Sequence, residues 1–215
     1  MSKVIIIGGH GKVALLLAPL LVANGDDVHS VVRNPDHVPD IRATGAEPIV
    51  ADIENLGTEE LTELISGHDA VVWSAGAGGG SPDRTWAVDR DAAIRSIDAA
   101  QAAGVQRYVM LSYAGSGVDD IPESEGFYAY SKAKAAADDH LRASGLQWTV
   151  LGPSGLTLDE PTGAIHLHDG TASGTVTRAD VAAVIAQSLR QPATIGKTIR
   201  FDNGDVSIDE ALASQ

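Results

Sequence analysis

Short runs of β-branched residues alternate along this chain with longer segments in which alanine and leucine recur at helical spacing. Val4-Ile5-Ile6-Ile7 and Ala70-Val71-Val72-Trp73 are continuously apolar, as strands buried on both faces of a parallel sheet are. The pattern predicts strands over 3–7, 28–32, 47–50, 70–74, 107–111, 147–151 and 197–201. It predicts helices over 12–24, 56–65, 83–103, 126–144, 178–190 and 207–213. Strand then helix, repeated with right-handed crossovers, gives an α/β, Rossmann-like doubly wound fold: a mostly parallel sheet with helices on both faces.

The predicted helix ends carry physical signals. Asn24-Gly25, Ala103-Gly104 and Ser144-Gly145 each put glycine just past a helix, where a left-handed cap is expected. Thr177 followed by Asp180 is close to a capping box. Pro19 falls inside the first helix, which is retained because the apolar pattern runs through it. Two stretches break the alternation: the glycine-rich 75–82 and the long segment 152–176. Loops at the carboxyl ends of parallel strands line the ligand crevice, so 152–176 is expected to form a small substrate-side loop region. Without repeats or a linker, the reading is one domain over 1–215.

Composition narrows the function. Among 215 residues there is no cysteine, which removes disulfides and cysteine-based metal sites. The net charge of −14 opposes binding to nucleic acid or to an anionic membrane surface. No apolar run approaches the roughly 20 residues of a membrane span, and the N-terminal run is too short for a signal segment. A cytoplasmic protein acting on a small molecule is expected, as a monomer or homodimer.

Gly8-Gly9-His10-Gly11-Lys12-Val13-Ala14 joins the first strand to the first helix and reads G-x-x-G-x-x-A. Glycines there let the backbone approach a diphosphate, which the free N–H groups and positive dipole end of the helix attract. A mononucleotide loop would need a lysine and hydroxyl that are missing. Arg33, with no acid at the tip of the second strand, suits a 2′-phosphate and so predicts NADP(H) over NAD(H), Lys12 adding charge; a plain surface arginine is the alternative. Asp52 and Ile53 end the third strand, where Asp52 either accepts the adenine amino group or caps its own turn, and Ile53 packs on the ring. Ala75, Gly76 and Ala77 would let backbone lie along the coenzyme ribose.

Y-x-x-x-K occurs twice, as Tyr128 with Lys132 and as Tyr130 with Lys134. Residues four apart on a helix are neighbours, and an ammonium there would lower the tyrosine pKa for proton transfer during hydride movement. Tyr130, Lys134, Ala137 and Leu141 share a stripe ending in small and apolar residues, so Tyr130 and Lys134 are expected to face the cleft. Ser112 ends the fifth strand, where its hydroxyl could orient a carbonyl beside Tyr130. His166 and His168 fall on one side of a short strand, more simply a polar edge than a metal or substrate site.

Together these residues resemble the short-chain dehydrogenase/reductase superfamily, specifically its small atypical NAD(P)H-binding members, which are NmrA-like or biliverdin/flavin-reductase-like. The similarity runs from the Gly8 turn through Asp89, 92–105, Arg107–Ser112, the Tyr130/Lys134 helix, 141–146, Gly152–Leu156 and Thr177–Ala182. It implies NADP(H) across the strand carboxyl ends, with Tyr130 as acid/base, Lys134 as its helper and holder of the nicotinamide ribose, and Ser112 as substrate orienter. It also implies that Pro153, Ser154, Gly155 and Leu156 lie by the nicotinamide. Gly152 departs from relatives that carry arginine before the proline. The family holds reductases, sugar-nucleotide-like epimerases and redox sensors without turnover, so an NADP(H)-dependent oxidoreductase acting on a small carbonyl, alcohol or conjugated acceptor is the leading expectation. A sensor is its rival, and an epimerase or dehydratase is disfavoured by the small C-terminal region.

Overall fold

The computed structural model describes residues 1–79, 81–170 and 174–215; residue 80 and residues 171–173, parts of the two predicted loops, lie outside it. Seven strands run parallel: β1 (Lys3–Ile7), β2 (Asp27–Val32), β3 (Glu47–Val50), β4 (Ala70–Trp73), β5 (Arg107–Leu111), β6 (Gln147–Pro153) and β10 (Lys197–Asn203). The order across the sheet is β3-β2-β1-β4-β5-β6-β10, continued by β8 (Ala164–His168) and β11 (Val206–Ser207), each antiparallel to its predecessor. The chain winds outward from β1 to β3, then returns to β4 on the other side of β1. The crevice beyond the carboxyl ends of β1 and β4 is therefore the switch point where an open α/β sheet binds ligand.

The apolar runs explain the layers. Val4 and Ile6 point to one face and Ile5 and Ile7 to the other. The first face is covered by α1 (Lys12–Ala23), α7 (Arg178–Arg190) and α8 (Ile208–Ala213), through Leu17, Leu21, Ile185 and Leu212. The second is covered by α3 (Thr58–Ile65), α5 (Ala93–Ala102) and α6 (Tyr128–Ala143), through Ile65, Ile97 and Leu141. Pro19 sits exposed in α1, which continues past it. The predicted helix over 83–103 is three pieces: α4 (Pro82–Thr85), a π-helical stretch over Trp86–Ala92, and α5. A short α2 (Val38–Ala43), preceded by a 3₁₀ turn, was not foreseen in the pattern.

Two expectations are corrected. The described residues of 152–176 hold more than a loop: β6 continues to Pro153, β7 (Gly155–Thr157) and β9 (Thr175–Thr177) pair in a small parallel sheet of their own, and β8 is the short strand expected at His166 and His168. Buried Asp180, at the start of α7, holds the turn before β8 by accepting from the amides of Thr162 (2.9 Å) and Gly163 (2.8 Å). It is also bonded to the Thr177 hydroxyl, which caps α7 as the sequence suggests. Gly25 and Gly104 take positive φ after their helices, but Gly145 does not; its amide donates to Gln101 Oε1 (3.1 Å) instead. Among the described residues no helix is long and apolar enough to cross a membrane.

Candidate functional site

The turn after β1 is shaped by close approach. Gly8 has φ +89°, and a Cβ there would lie 2.6 Å from the Ala75 backbone at the end of β4. A Cβ at Gly9 would lie 2.7 Å from Ser30 Cβ on β2. Gly11 then opens α1 with no side-chain cap, and the amides of His10, Lys12, Val13 and Ala14 meet no acceptor among the described residues. Uncapped N–H groups beside a cradle only glycine can form fit a diphosphate. Val13 is buried in the core and Lys12 points to solvent away from the cavity, so their contribution is the amide, not the side chain.

A cavity of about 250 Å³ extends from this turn past Val32, Arg33, Asp52 and Ile53. Its charges differ from expectation. An acid does reach Arg33: Glu54, beyond β3, lies 3.5 Å from its guanidinium and 3.3 Å from that of Arg84. Asp52 caps its own turn, accepting from the Glu54 amide (3.2 Å) and the Asn55 side chain (2.9 Å). The Ala77 backbone, expected along the ribose, is engaged as well: its N–H donates to Asp89 (2.9 Å) and its carbonyl accepts from Arg84 (2.6 Å). At the outer wall the His10 and His37 rings stack at 3.6 Å, and His10 pairs with Asp40 at 2.8 Å.

Ser74, Ala75 and Gly76 border this cavity and also a second one of about 600 Å³. One cleft therefore runs from Arg33 across the switch point to Tyr130, Lys134, Ser112 and Leu156, which line the second cavity. Tyr128 and Lys132 do not line it; the Lys132 ammonium sits 5.6 Å over the Tyr128 ring.

The expected activation of Tyr130 by Lys134 is not found. The ammonium curls back to the end of β5, donating to the Leu111 carbonyl (2.8 Å). Burial, reinforced by the carboxylates of Asp89 and Asp138, raises the Tyr130 phenol above its ordinary value. Tyr130 is therefore held as a protonated donor, and its hydroxyl has no hydrogen-bond partner among the described residues. Ser112 is likewise not free to orient a carbonyl: its hydroxyl donates to Asp138 Oδ2 (2.6 Å), which also accepts from Ser116 (2.5 Å). Asp138 is fully buried and its other oxygen lacks a partner. Burial raises its pKa, and Lys134 opposes that shift. Asp89, 2% exposed on the π-helical stretch, is raised by burial and opposed by Lys134 in the same way. Lys134, itself 2% exposed, is the cation between two buried acids.

A third cavity of about 460 Å³ shares Ser112, Phe127, Tyr130 and Leu156 with the second. Pro153, Ser154 and Gly155 line this cavity only, so of that segment Leu156 alone reaches the Lys134 side. Ser154 bonds to Asp202 and to the Phe201 carbonyl of β10. Gly152 sits where a Cβ would lie 3.1 Å from the Tyr113 carbonyl and 3.2 Å from Arg200 Cγ. Arg200, directly across on β10, holds the carbonyls of Ala114 (2.9 Å) and Ser116 (3.2 Å). His166 is exposed, and His168 bonds to the Gly170 carbonyl; among the described residues no group of three or more metal-ligating side chains gathers.

A family model described as NAD(P)H-binding matches residues 8–192. The chain belongs to this NAD(P)H-binding family. It is 34% identical to YhfK of Bacillus subtilis, named an uncharacterized sugar epimerase, over 98% of both chains. A Bacillus halodurans structure that carries the provisional name NAD-dependent epimerase/dehydratase superposes with a TM-score of 0.92 at 34% identity, covering 100% of each chain. The structure of the oxidoreductase ylbE from Lactococcus lactis superposes at 0.86 with 30% identity, covering 99% of this chain and 95% of its own. Within that family frame, three side chains lining this cleft, Glu54, Arg84 and Asp89 as a buried acid, and one beneath it, Asp138, escaped the sequence reading. Asp89 entered the resemblance without a role, and Asp138 left a trace as a charge one turn beyond Lys134 on the stripe that runs to Ala137 and Leu141.

Proposed function

We propose that the protein is an NADP(H)-dependent oxidoreductase that transfers hydride between nicotinamide and a small carbonyl, alcohol or conjugated acceptor. The observation that carries this reading is the unbroken cleft: glycine turn and Arg33 at one end, protonated Tyr130 at the other, joined through Ser74–Gly76. That length suits a dinucleotide better than a mononucleotide. The amides of the turn hold the diphosphate, and Arg33 pairs with the 2′-phosphate at the exposed end. The bound coenzyme supplies the hydride. Tyr130 gives its proton to the substrate oxygen as that hydride arrives and recovers one from solvent, and its raised pKa keeps it in the protonated form between turnovers. Lys134 donates to the Leu111 carbonyl and, weakly, to the Met110 sulfur, and its remaining donor would serve a ribose hydroxyl. Ser112 is tethered to Asp138 and helps hold that buried acid beneath the cavity.

Calorimetry with NADPH, followed by NADPH oxidation against a carbonyl, quinone and flavin panel, tests this. Tyr130→Phe is expected to lower kcat by about 100-fold with coenzyme affinity unchanged, the usual scale for a positioned proton donor. Full activity in that variant removes Tyr130 from the chemistry. Tight NADPH binding with no turnover across the panel supports instead a redox sensor. The names of YhfK and the Bacillus halodurans protein favour a third reading, a sugar epimerase.

A further inference from the structure

Resting on the oxidoreductase reading, the charge and shape of the third cavity narrow its substrate. The coenzyme's nicotinamide end would take the cavity beside Lys134, leaving the 460 Å³ space for the molecule reduced. Its wall is aromatic: Tyr113, Phe127 and Tyr130 lie with ring centroids 5.1–5.4 Å apart. The Tyr113 hydroxyl is tied to Ser131 (2.8 Å), so that ring is fixed. Phe127 is 44% exposed, and Leu156 continues the apolar rim. An exposed aromatic edge around a cavity that size is a surface awaiting a flat partner.

The charges point the same way. Among the described residues lining this cavity the one ionisable acid is Asp119, and no lysine or arginine lines it. Two arginines that reach residues around it are engaged with carbonyls, Arg200 with Ala114 and Ser116 and Arg178 with Leu156 and Thr157, and Lys134 lines the adjoining cavity and donates to the Leu111 carbonyl. Gly126 and Ala129, which open α6 and could offer amides to an anion, line the Lys134 cavity instead. A nucleoside diphosphate brought here would meet a carboxylate and no counter-charge.

We propose that the substrate is an uncharged, flat, conjugated carbonyl compound of the quinone type, bound against Phe127 and Tyr113, and that nucleoside-diphosphate sugars are not substrates. Two electrons and one hydrogen arrive as hydride from the reduced coenzyme, and the proton of Tyr130 completes reduction at the oxygen.

The test uses the full chain saturated with NADP+, titrated in a calorimeter with 2-methyl-1,4-naphthoquinone, with the same ring carrying a sulfonate, and with UDP-glucose. The neutral quinone is expected to bind about tenfold or more tightly than its sulfonate, and UDP-glucose to give no heat. Phe127→Ala, a change at an exposed ring, is expected to weaken the neutral quinone about tenfold, while Phe127→Tyr retains it. Asp119→Lys is expected to raise affinity for the sulfonate and leave NADP+ binding unchanged. With NADP+ heat present, the proposal is overturned if the neutral quinone gives no heat, if the sulfonate binds as well, or if UDP-glucose binds more tightly; the coenzyme reading then stands. Absence of heat with NADP+ overturns both.

Discussion

At the Arg33 end of the cleft, charge meets in the open. Arg33 is 56% exposed, and half-buried Glu54 sits between it and Arg84 at ion-pair distance. At the Tyr130 end the charges are sealed: Lys134, Asp89 and Asp138 are each almost wholly buried, and two serine hydroxyls converge on one carboxylate oxygen. Exposed pairs contribute about 0–1 kcal/mol and are remade easily, so the first end can adapt to what it binds. Buried pairs resist the loss of either partner far more than their formation stabilises, so the second end is fixed before any ligand arrives. Beside Arg33 lies the glycine turn, which works through backbone geometry alone.

That contrast breaks most completely at the turn. Gly8→Val puts a β-branched side chain at positive φ and a Cβ against the Ala75 backbone. Strain and overpacking together are expected to cost about 3 kcal/mol or more. Thermal denaturation reads the loss of stability, and calorimetry is expected to show no remaining coenzyme binding. A variant with wild-type affinity would mean that the cradle plays no part in holding the diphosphate.

At the sealed end, Asp138→Ala leaves the Ser112 and Ser116 hydroxyls without their acceptor and Lys134 with one acid fewer. A loss of about 2–4 kcal/mol in denaturant unfolding is expected. Asp138→Asn keeps an acceptor and sharpens the point through pH. The folded pKa of Asp138 is raised, so its ionisation above the unfolded value of 3.8 works against the folded state. Relative to wild type, the Asn variant is therefore expected to gain stability as pH rises from 3.8 through the folded pKa, and to level off above it. A stability difference independent of pH would show that Asp138 is not destabilised as an anion.

The same contrast sorts what the sequence could disclose. The parallel sheet was legible because buried strands are written as local apolar runs, and Lys3–Ile7 or Arg107–Leu111 need no distant partner to be recognised. The Gly8 turn was legible for the same reason: strand, glycines and helix are consecutive. Glu54 was not, because it reaches Arg33 from the turn after the neighbouring strand, in a sheet whose order must first be known. Lys134 was placed on the cleft by helical phase, but its bond to Leu111 depends on how closely α6 lies over β5. In 152–176, dense in glycine and proline, the short strand at His166 and His168 was legible from alternation, but β7, β9 and the end of β6 were not, because β7 and β9 pair with each other 20 residues apart and the end of β6 pairs with β10.

At the open end, Arg33→Ala is expected to weaken NADP+ binding about tenfold, the scale of one exposed charge-assisted pair with a phosphate, and to leave NAD+ within about twofold. Calorimetry with both coenzymes measures the ratio. Equal affinity for the two in wild type would remove NADP preference, and would assign Arg33 to its pairing with Glu54 alone.

The smallest effect belongs to neither end of the cleft. His68 lies beside the start of β4, with Nδ1 2.8 Å from the Ile65 carbonyl and Nε2 3.0 Å from His29 Nδ1. Burial first, then the neighbouring His29 and Lys3, hold its imidazole below the ordinary 6.5. Below pH 6.5 the unfolded chain takes up a proton that the folded one declines, so this group stabilises the fold near neutrality and loses that contribution as pH falls toward the folded pKa. Buried Asp89 and Asp138 act in the opposite sense, since their raised pKa values favour the fold as they gain protons. The total pH profile therefore conceals His68, and the difference between wild type and His68→Asn isolates it. That difference in melting temperature is expected to shrink by a degree or two, in favour of the variant, between about pH 7 and pH 5. A difference that stays constant over the same range would mean that His68 takes up its proton as readily in the folded protein as in the unfolded chain.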